Sequence, residues 1–299
     1  MSDHFLPQFK HHLLSLGRAE RTLNAYESDL RQFAAWFEQA NQRPFTLKDF
    51  TAIDVREYRT ALLRRKCAPA TVNRALAALR TLGAWAVGTG ALSVNPVNNI
   101  RSVETPTLAP KWLDRRAQSA LLRELEREVN AARTEAARWQ ALRDKALVML
   151  MLQAGLRVSE ACSLALSDVA LNERKGSVVV REGKGLKQRT TPLNSEARGV
   201  LREWLAVRPN WSHPSVFGGQ RGEALQPRAV QRMLADHGRR AGVEVTPHTL
   251  RHSFAKNLID AGVSMEKVAA LLGHANLNTT RIYIAPGVED LQEAVQAIG

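Results

Sequence analysis

Apolar residues recur three and four apart along most of the chain, and that spacing leaves room for little besides helices. Tyr26, Leu30, Phe33 and Phe37 form one such stripe. Val55, Tyr58 and Leu62 form another, behind Thr51 and Asp54, a pair suited to capping a helix start. Pro69 fits a first helical turn, and Val72, Leu76, Leu79 and Trp85 follow it. An earlier helix around Phe9 to Leu16 stops at Gly17. The first hundred residues therefore predict about four helices and no strand.

From Gly88 to Pro110 the periodicity fails. "GALSVNPVNNIRSVETPTLAP" carries three prolines among Asn and Ser, a linker composition. The expected organisation is a helical domain over 1–99, a linker over 100–112 and a larger domain over 113–299. In the larger domain Asp114 predicts an N-cap and a helical pattern running to about Ala137. A second helix covers Leu142 to Gln153 and stops at Gly155. "GSVVVREGKGLKQRTTPL" is the clearest β-signal, two apolar-rich runs around a Gly-containing turn. Three more helices follow. One starts near Pro227 and ends before Gly242, one has Pro247 in its first turn and Gly262 past its end, and one is capped by Ser264 and ends at Gly273. The fold class is mainly α with a small β-sheet.

Charge narrows the partners. The chain holds 42 Lys+Arg against 29 Asp+Glu, a formal charge of +13. Up to Asn99 there are 13 basic and 8 acidic residues, and beyond it 29 and 21, so no single tail carries the excess. Such a balance favours a polyanionic partner over mere solubility. The helical first domain would contribute Arg64, Arg65, Lys66, Arg74 and Arg80, although such runs are often only solvated faces. Two distant cysteines make neither a disulfide framework nor a metal spacing. "MSDHFLPQFKHH" lacks the basic start and apolar core of a signal peptide, and "ALVMLML" is too short to span a bilayer. A cytoplasmic protein with no membrane partner is expected.

Four segments carry candidate chemistry. "PHTLRHSFAKNL" puts His248, Arg251 and His252 on about one turn. The His spacing of four suits zinc, but "HTLRH" lacks a Glu beside the first His, and Arg251 sets a fixed positive charge among the ligands. No metal is expected there. The bland reading is a basic cap on a core helix whose apolar side is Leu250, Phe254 and Leu258. "QAGLRVSEACSL" places Arg157 between a helix-ending Gly and a helix start, a good oxyanion or phosphate position, with Glu160 three residues on to hold the guanidinium. An ordinary interhelix salt bridge is the alternative. "EGKGLK" puts Lys184 at a hairpin tip, either solvated or reaching a ligand as an acid. "LLGHANLNTTRIYI" gives His274 after a helix-ending Gly and Tyr283 beyond it. A lone Tyr on an amphipathic segment is usually core, as Tyr26 and Tyr58 look to be.

In order, Arg157, Lys184, His248, Arg251, His274 and Tyr283 resemble the active-site set of the tyrosine recombinase (phage integrase) family. "AGLRVSE", "GKG", "PHTLRHSFA", "LLGHANLNTT" and the following Tyr carry the likeness across Leu142 to Tyr283, and within the family the chain looks most like bacterial Xer recombinases. The resemblance implies a SAM-like core-binding domain followed by an α+β catalytic domain, closing as a clamp on double-stranded DNA. It implies a site-specific recombinase in which Tyr283 attacks a phosphodiester and holds the 3′-phosphate covalently. Arg157 and Arg251 clamp the non-bridging oxygens, and His274 donates a further hydrogen bond. Lys184 protonates the leaving 5′-oxygen, and His248 assists the tyrosine. No cofactor is implied. Strands exchange through a Holliday junction in a homo- or hetero-tetramer on two DNA sites, with or without a second recombinase. The role is chromosome or plasmid dimer resolution, or integration and excision of a mobile element. A type IB topoisomerase-like relaxing enzyme, built from the same residue types, is the alternative. The tail "EDLQEAVQAIG", with Leu291, Val295 and Ile298, docks by that likeness on a neighbouring protomer or, more plainly, on its own domain.

Overall fold

The computed structural model describes residues 5–18, 20–105, 111–181 and 188–274, together with Thr280 and Gln296. The chain divides into two compact units, Met1–Thr107 and Leu108–Gly299. The first is helical: α1 (Leu6–Ser15), α2 (Glu20–Asn41), α3 (Ala52–Arg64) and α4 (Pro69–Gly88). The Thr51 hydroxyl accepts the Asp54 N–H and so starts α3, while Pro69 starts α4. The stripes read from sequence meet in one core. Phe33 is fully buried, with the Phe45 and Tyr58 rings each 5.1 Å away edge-on.

The segment after α4 is not a free linker. Val97 and Ile100 are buried in the first unit. Asn95 donates to the Arg80 carbonyl at 2.9 Å and accepts the Val97 N–H at 3.0 Å. The Asn73 amide pairs with Val103 in both directions, at 2.7 and 2.8 Å. Asn residues that look like loop composition thus satisfy the backbone of an irregular segment packed on the helices. Residues 100–103, expected in the linker, belong to the packing of this unit.

The second unit holds α5 (Arg115–Ala131), α6 (Glu135–Gln153), α7 (Val158–Ser163), the strands β1 (Val169–Leu171), β2 (Gly176–Arg181) and β3 (Gln188–Pro192), then α8 (Ser195–Val207), α9 (Pro227–Ala241), α10 (Pro247–Asp260) and α11 (Met265–Leu272). The sheet is antiparallel in the order β1-β2-β3, with Val178 opposite Thr191. Every residue of α6 from Ala141 to Leu152 except Lys145 is buried, and α5, α8 and α10 pack around it. A helix covered on all sides needs no polar stripe. The helix expected from Asp114 to about Ala137 is two helices. The chain breaks at 132–134, where the Thr134 hydroxyl accepts the Ala137 N–H at 3.1 Å and starts α6. No described helix is long and apolar enough to cross a membrane.

Candidate active site

Three guanidinium groups converge on one carboxylate in the second unit. Gly155 lies just past the end of α6, and its φ of +64° reverses the chain and delivers Arg157 to the N-cap of α7. Glu160, one turn into α7, accepts the Arg157 backbone N–H at 2.8 Å and its Nη1 at 2.7 Å. Arg189 of β3 donates to both Glu160 oxygens, at 3.0 and 2.7 Å. Arg251 of α10 lies 3.8 Å from the same carboxylate. Burial alone would raise the Glu160 carboxyl. The Arg189 hydrogen bond and the Arg157 N–H outweigh it and hold the group down at about 2.

The end of α11 completes the cluster. Gly273 closes the helix in the left-handed region, and the His274 N–H turns back to the Ala269 carbonyl. A helix end leaves carbonyls without partners, and arginines meet them here. Arg189 Nε donates to Leu271 at 3.0 Å and Arg251 Nη2 to Leu272 at 2.5 Å, while Arg157 Nη2 lies 3.5 Å from the Gly273 oxygen. Arg251 Nη1 also donates to the Gly155 carbonyl at 2.5 Å. Backbone from α6 and α11 and a carboxylate from α7 thus fix the arginines in register. His274, next in the chain, has Nδ1 3.0 Å from the Thr280 hydroxyl. Burial, then Arg251, Arg157 and Arg189, push its imidazole down to about 4.

Arg157 with Glu160, Arg251 and His274, from three separate segments of the chain, are brought together. His248 is exposed on the first turn of α10, its ring 6.4 Å from that of His252. Burial, followed by His248 and Arg251, lowers the His252 pKa. Thr246 and Thr249 cap this helix reciprocally, and Leu250 and Phe254 are buried on its other side. Lys184 and Tyr283 lie outside the described residues, as do Leu291, Val295 and Ile298. In the first unit Arg64, Arg65 and Lys66 are exposed where α3 ends. Arg74 is instead bidentate to the buried Asp29, at 2.8 and 2.9 Å, and Arg80 donates to the Ile100 carbonyl at 2.9 Å. Both spend hydrogen-bonding capacity inside their own unit.

Two features escaped the sequence reading. Arg189 shares a strand face with the buried Thr191, so its place in the alternation was the available signal. The other is a cavity of about 1100 Å³ beside α9, with Arg221, Arg228 and Arg232 on its wall. Among the described residues these three have no acidic partner at ion-pair distance. Glu124, Glu128 and His237 could together reach a metal ion. Guanidinium groups already meet those carboxylates: Arg240 lies 2.6 Å from Glu128 and 3.2 Å from Glu124, and Arg127 lies 2.6 Å from Glu124. The set reads as an ion network tying α5 to α9.

Three arginines gathered around one carboxylate, on a helical domain with one small antiparallel sheet, concentrate the positive charge that a phosphate ester would call for. The phage integrase family model matches residues 121–289, and the model of the phage integrase N-terminal SAM-like domain matches residues 6–90. The chain belongs to the phage integrase family, the tyrosine recombinases, which cut and rejoin DNA. It is 31% identical to the tyrosine recombinase XerC of Thermodesulfovibrio yellowstonii, over 97% of this chain and 94% of the relative. The Xylella fastidiosa XerC is 33% identical, over 89% and 86%. Among solved structures, the XerH recombinase bound to difH before cleavage is similar with a TM-score of 0.70 and 25% identity, covering 91% of this chain and 78% of that one. A lambda integrase dimer on a core site shares the fold at a TM-score of 0.71 and 17% identity, over 94% of each chain.

Proposed function

We propose that this protein is a Xer-type site-specific recombinase acting on double-stranded DNA in the cytoplasm. The observation that carries the reading is the convergence of Arg157, Arg251 and His274 on one spot, around Glu160 and the end of α11. Arg157 and Arg251 clamp the non-bridging oxygens of a scissile phosphate, where charge develops in the transition state. His274, neutral at pH 7, adds a hydrogen bond without a full charge. Tyr283 attacks phosphorus as the 5′-oxygen leaves, and Lys184 gives that oxygen its proton. The 3′-phosphotyrosyl bond keeps the energy of the broken linkage, so a 5′-hydroxyl from a second duplex can reverse the step. His248 lies one turn from Arg251 and assists the tyrosine. The XerH and lambda integrase complexes were solved on DNA, and the XerC likeness supports a tetramer on two sites, exchanging strands through a Holliday junction. Chromosome dimer resolution is the role the XerC relatives favour.

A nicked suicide duplex, captured from a randomised pool by the wild-type chain, tests the reading. Covalent protein–DNA adduct should form on particular sequences only, and Tyr283→Phe should bind the same duplex with no adduct. Adduct from the Phe variant would remove Tyr283 as nucleophile. Relaxation of any supercoiled plasmid, without site preference or strand exchange, would make the protein a topoisomerase instead.

A further inference from the structure

Arg189 belongs to none of the motifs that carry the recombinase reading, yet it touches more of the site's framework than any of them predicts. It projects from the second residue of β3, and its side chain is only 13% exposed. All three guanidinium nitrogens are engaged inside the protein, Nη1 and Nη2 on Glu160 and Nε on the Leu271 carbonyl. Gly273 packs directly over it: a Cβ there would come within 2.9 Å of Nη1 and 3.1 Å of Cδ. Arg189 therefore joins the sheet, α7 and the end of α11 through one planar group.

The electrostatics explain why a third arginine is needed. Glu160 orients Arg157, but a buried carboxylate beside a guanidinium also cancels its charge. Arg189 supplies the compensating charge. Arg157 stays held by Glu160 while its charge remains available to a DNA phosphate. The bond to Leu271 fixes the turn that presents His274, and with all three guanidinium nitrogens engaged Arg189 has little left to offer DNA directly.

We propose that Arg189 is a positioning residue of the active site, which sets Arg157, through Glu160, and the His274 turn for the same scissile phosphate. This rests on the recombinase reading. Full-length Arg189→Met, Arg189→Lys, Glu160→Gln and the Glu160→Gln/Arg189→Met double variant are compared on the suicide duplex captured by the wild-type chain. No adduct from the wild-type chain itself would remove the recombinase reading, a separate failure. Given that adduct, Arg189→Met should trap DNA about 100-fold more slowly, the scale expected when catalytic groups shift by an ångström. Its affinity for the duplex should stay within about twofold, because the lost interaction acts in the transition state. Arg189→Lys keeps the charge but cannot span the carboxylate and the Leu271 carbonyl, so its rate should be intermediate. The double variant should be no slower than the slower single, since both remove one shared contact. Wild-type trapping by Arg189→Met overturns the proposal. So does a loss of affinity equal to the loss of rate, or multiplicative defects in the double variant. Should Arg189→Met fail to fold, Arg189→Lys reads the same split: slow trapping at unchanged affinity supports the role, and wild-type trapping overturns it.

Discussion

His274 shows how far neighbours can move a single side chain. Burial comes first, and Arg251, Arg157 and Arg189 add to it, so the imidazole titrates at about 4 in the folded protein. In the DNA-free protein its NMR signals should show no protonation step near the usual 6.5. The consequence for stability follows from the sign of the shift. Above pH 6.5 the ring is neutral in both folded and unfolded chains and contributes no pH dependence. Below it the unfolded chain takes up a proton that the folded chain refuses, so stability falls from about pH 6.5 towards 4. Glu160, held at about 2, adds stability that is present above its unfolded value of 4.5 and lost below that. Replacing His274 with Asn should flatten the upper part of the curve and leave the lower part, as measured by denaturant unfolding at each pH. A curve unchanged by the substitution would mean that other groups dominate. At this scale Arg157 and His274 could be picked out because each sits in a local signature, a helix-ending Gly just before it. Arg189 was not, because strand alternation shows only which face it takes, and its partners lie 29 and 82 residues away.

Elements were legible where a cap or a breaker marks them. Pro227 and Gly242 bound α9, Pro247 starts α10, and Gly273 ends α11, all at the positions read from sequence. The break between α5 and α6 was not, because Ala, Arg and Glu continue the helical composition through it and a single Thr134 cap decides the matter. The irregular segment after α4 was misread for a related reason. Its anchor is an Asn95 side chain seated against Gly83, where a Cβ would meet Oδ1 at 2.2 Å. A glycine inside a helix otherwise costs stability, and here it makes room for that contact. Gly155 does more. It holds φ at +64°, its carbonyl accepts Arg251, and a Cβ would lie 2.3 Å from the Phe254 ring. Gly155→Ala combines a left-handed alanine with overpacking, so a loss of about 2–5 kcal/mol is expected in urea unfolding. Covalent trapping should slow as well, because the Arg251 anchor moves with the turn. Full stability in the alanine variant would contradict the strained turn.

Across the whole molecule the excess of 13 positive charges is spread over both units, and the ion pairs sort those charges into two kinds. Some hold the fold. Arg74 is bound to the buried Asp29, whose side chain is 4% exposed, and this pairing raises the Arg74 pKa. Others face outward. Arg228 and Arg232 are exposed on the first turns of α9, at the wall of the large cavity. Composition alone could reveal the total but not the division, because pairing depends on tertiary neighbours. DNA affinity separates the two kinds through its salt dependence. Each phosphate contact releases counterions and adds about 0.9 to the slope of log affinity against log salt. Arg228→Gln with Arg232→Gln should therefore lower that slope by about 2 and leave the thermal midpoint near its wild-type value. Arg74→Gln should do the reverse, keeping the slope while lowering stability, because it strands a buried carboxylate. Fluorescence anisotropy titrations at several salt concentrations, paired with melting curves, read both quantities on the same samples. A slope that falls with Arg74→Gln and holds with the α9 pair would count against a DNA contact on α9 and for one in the first unit.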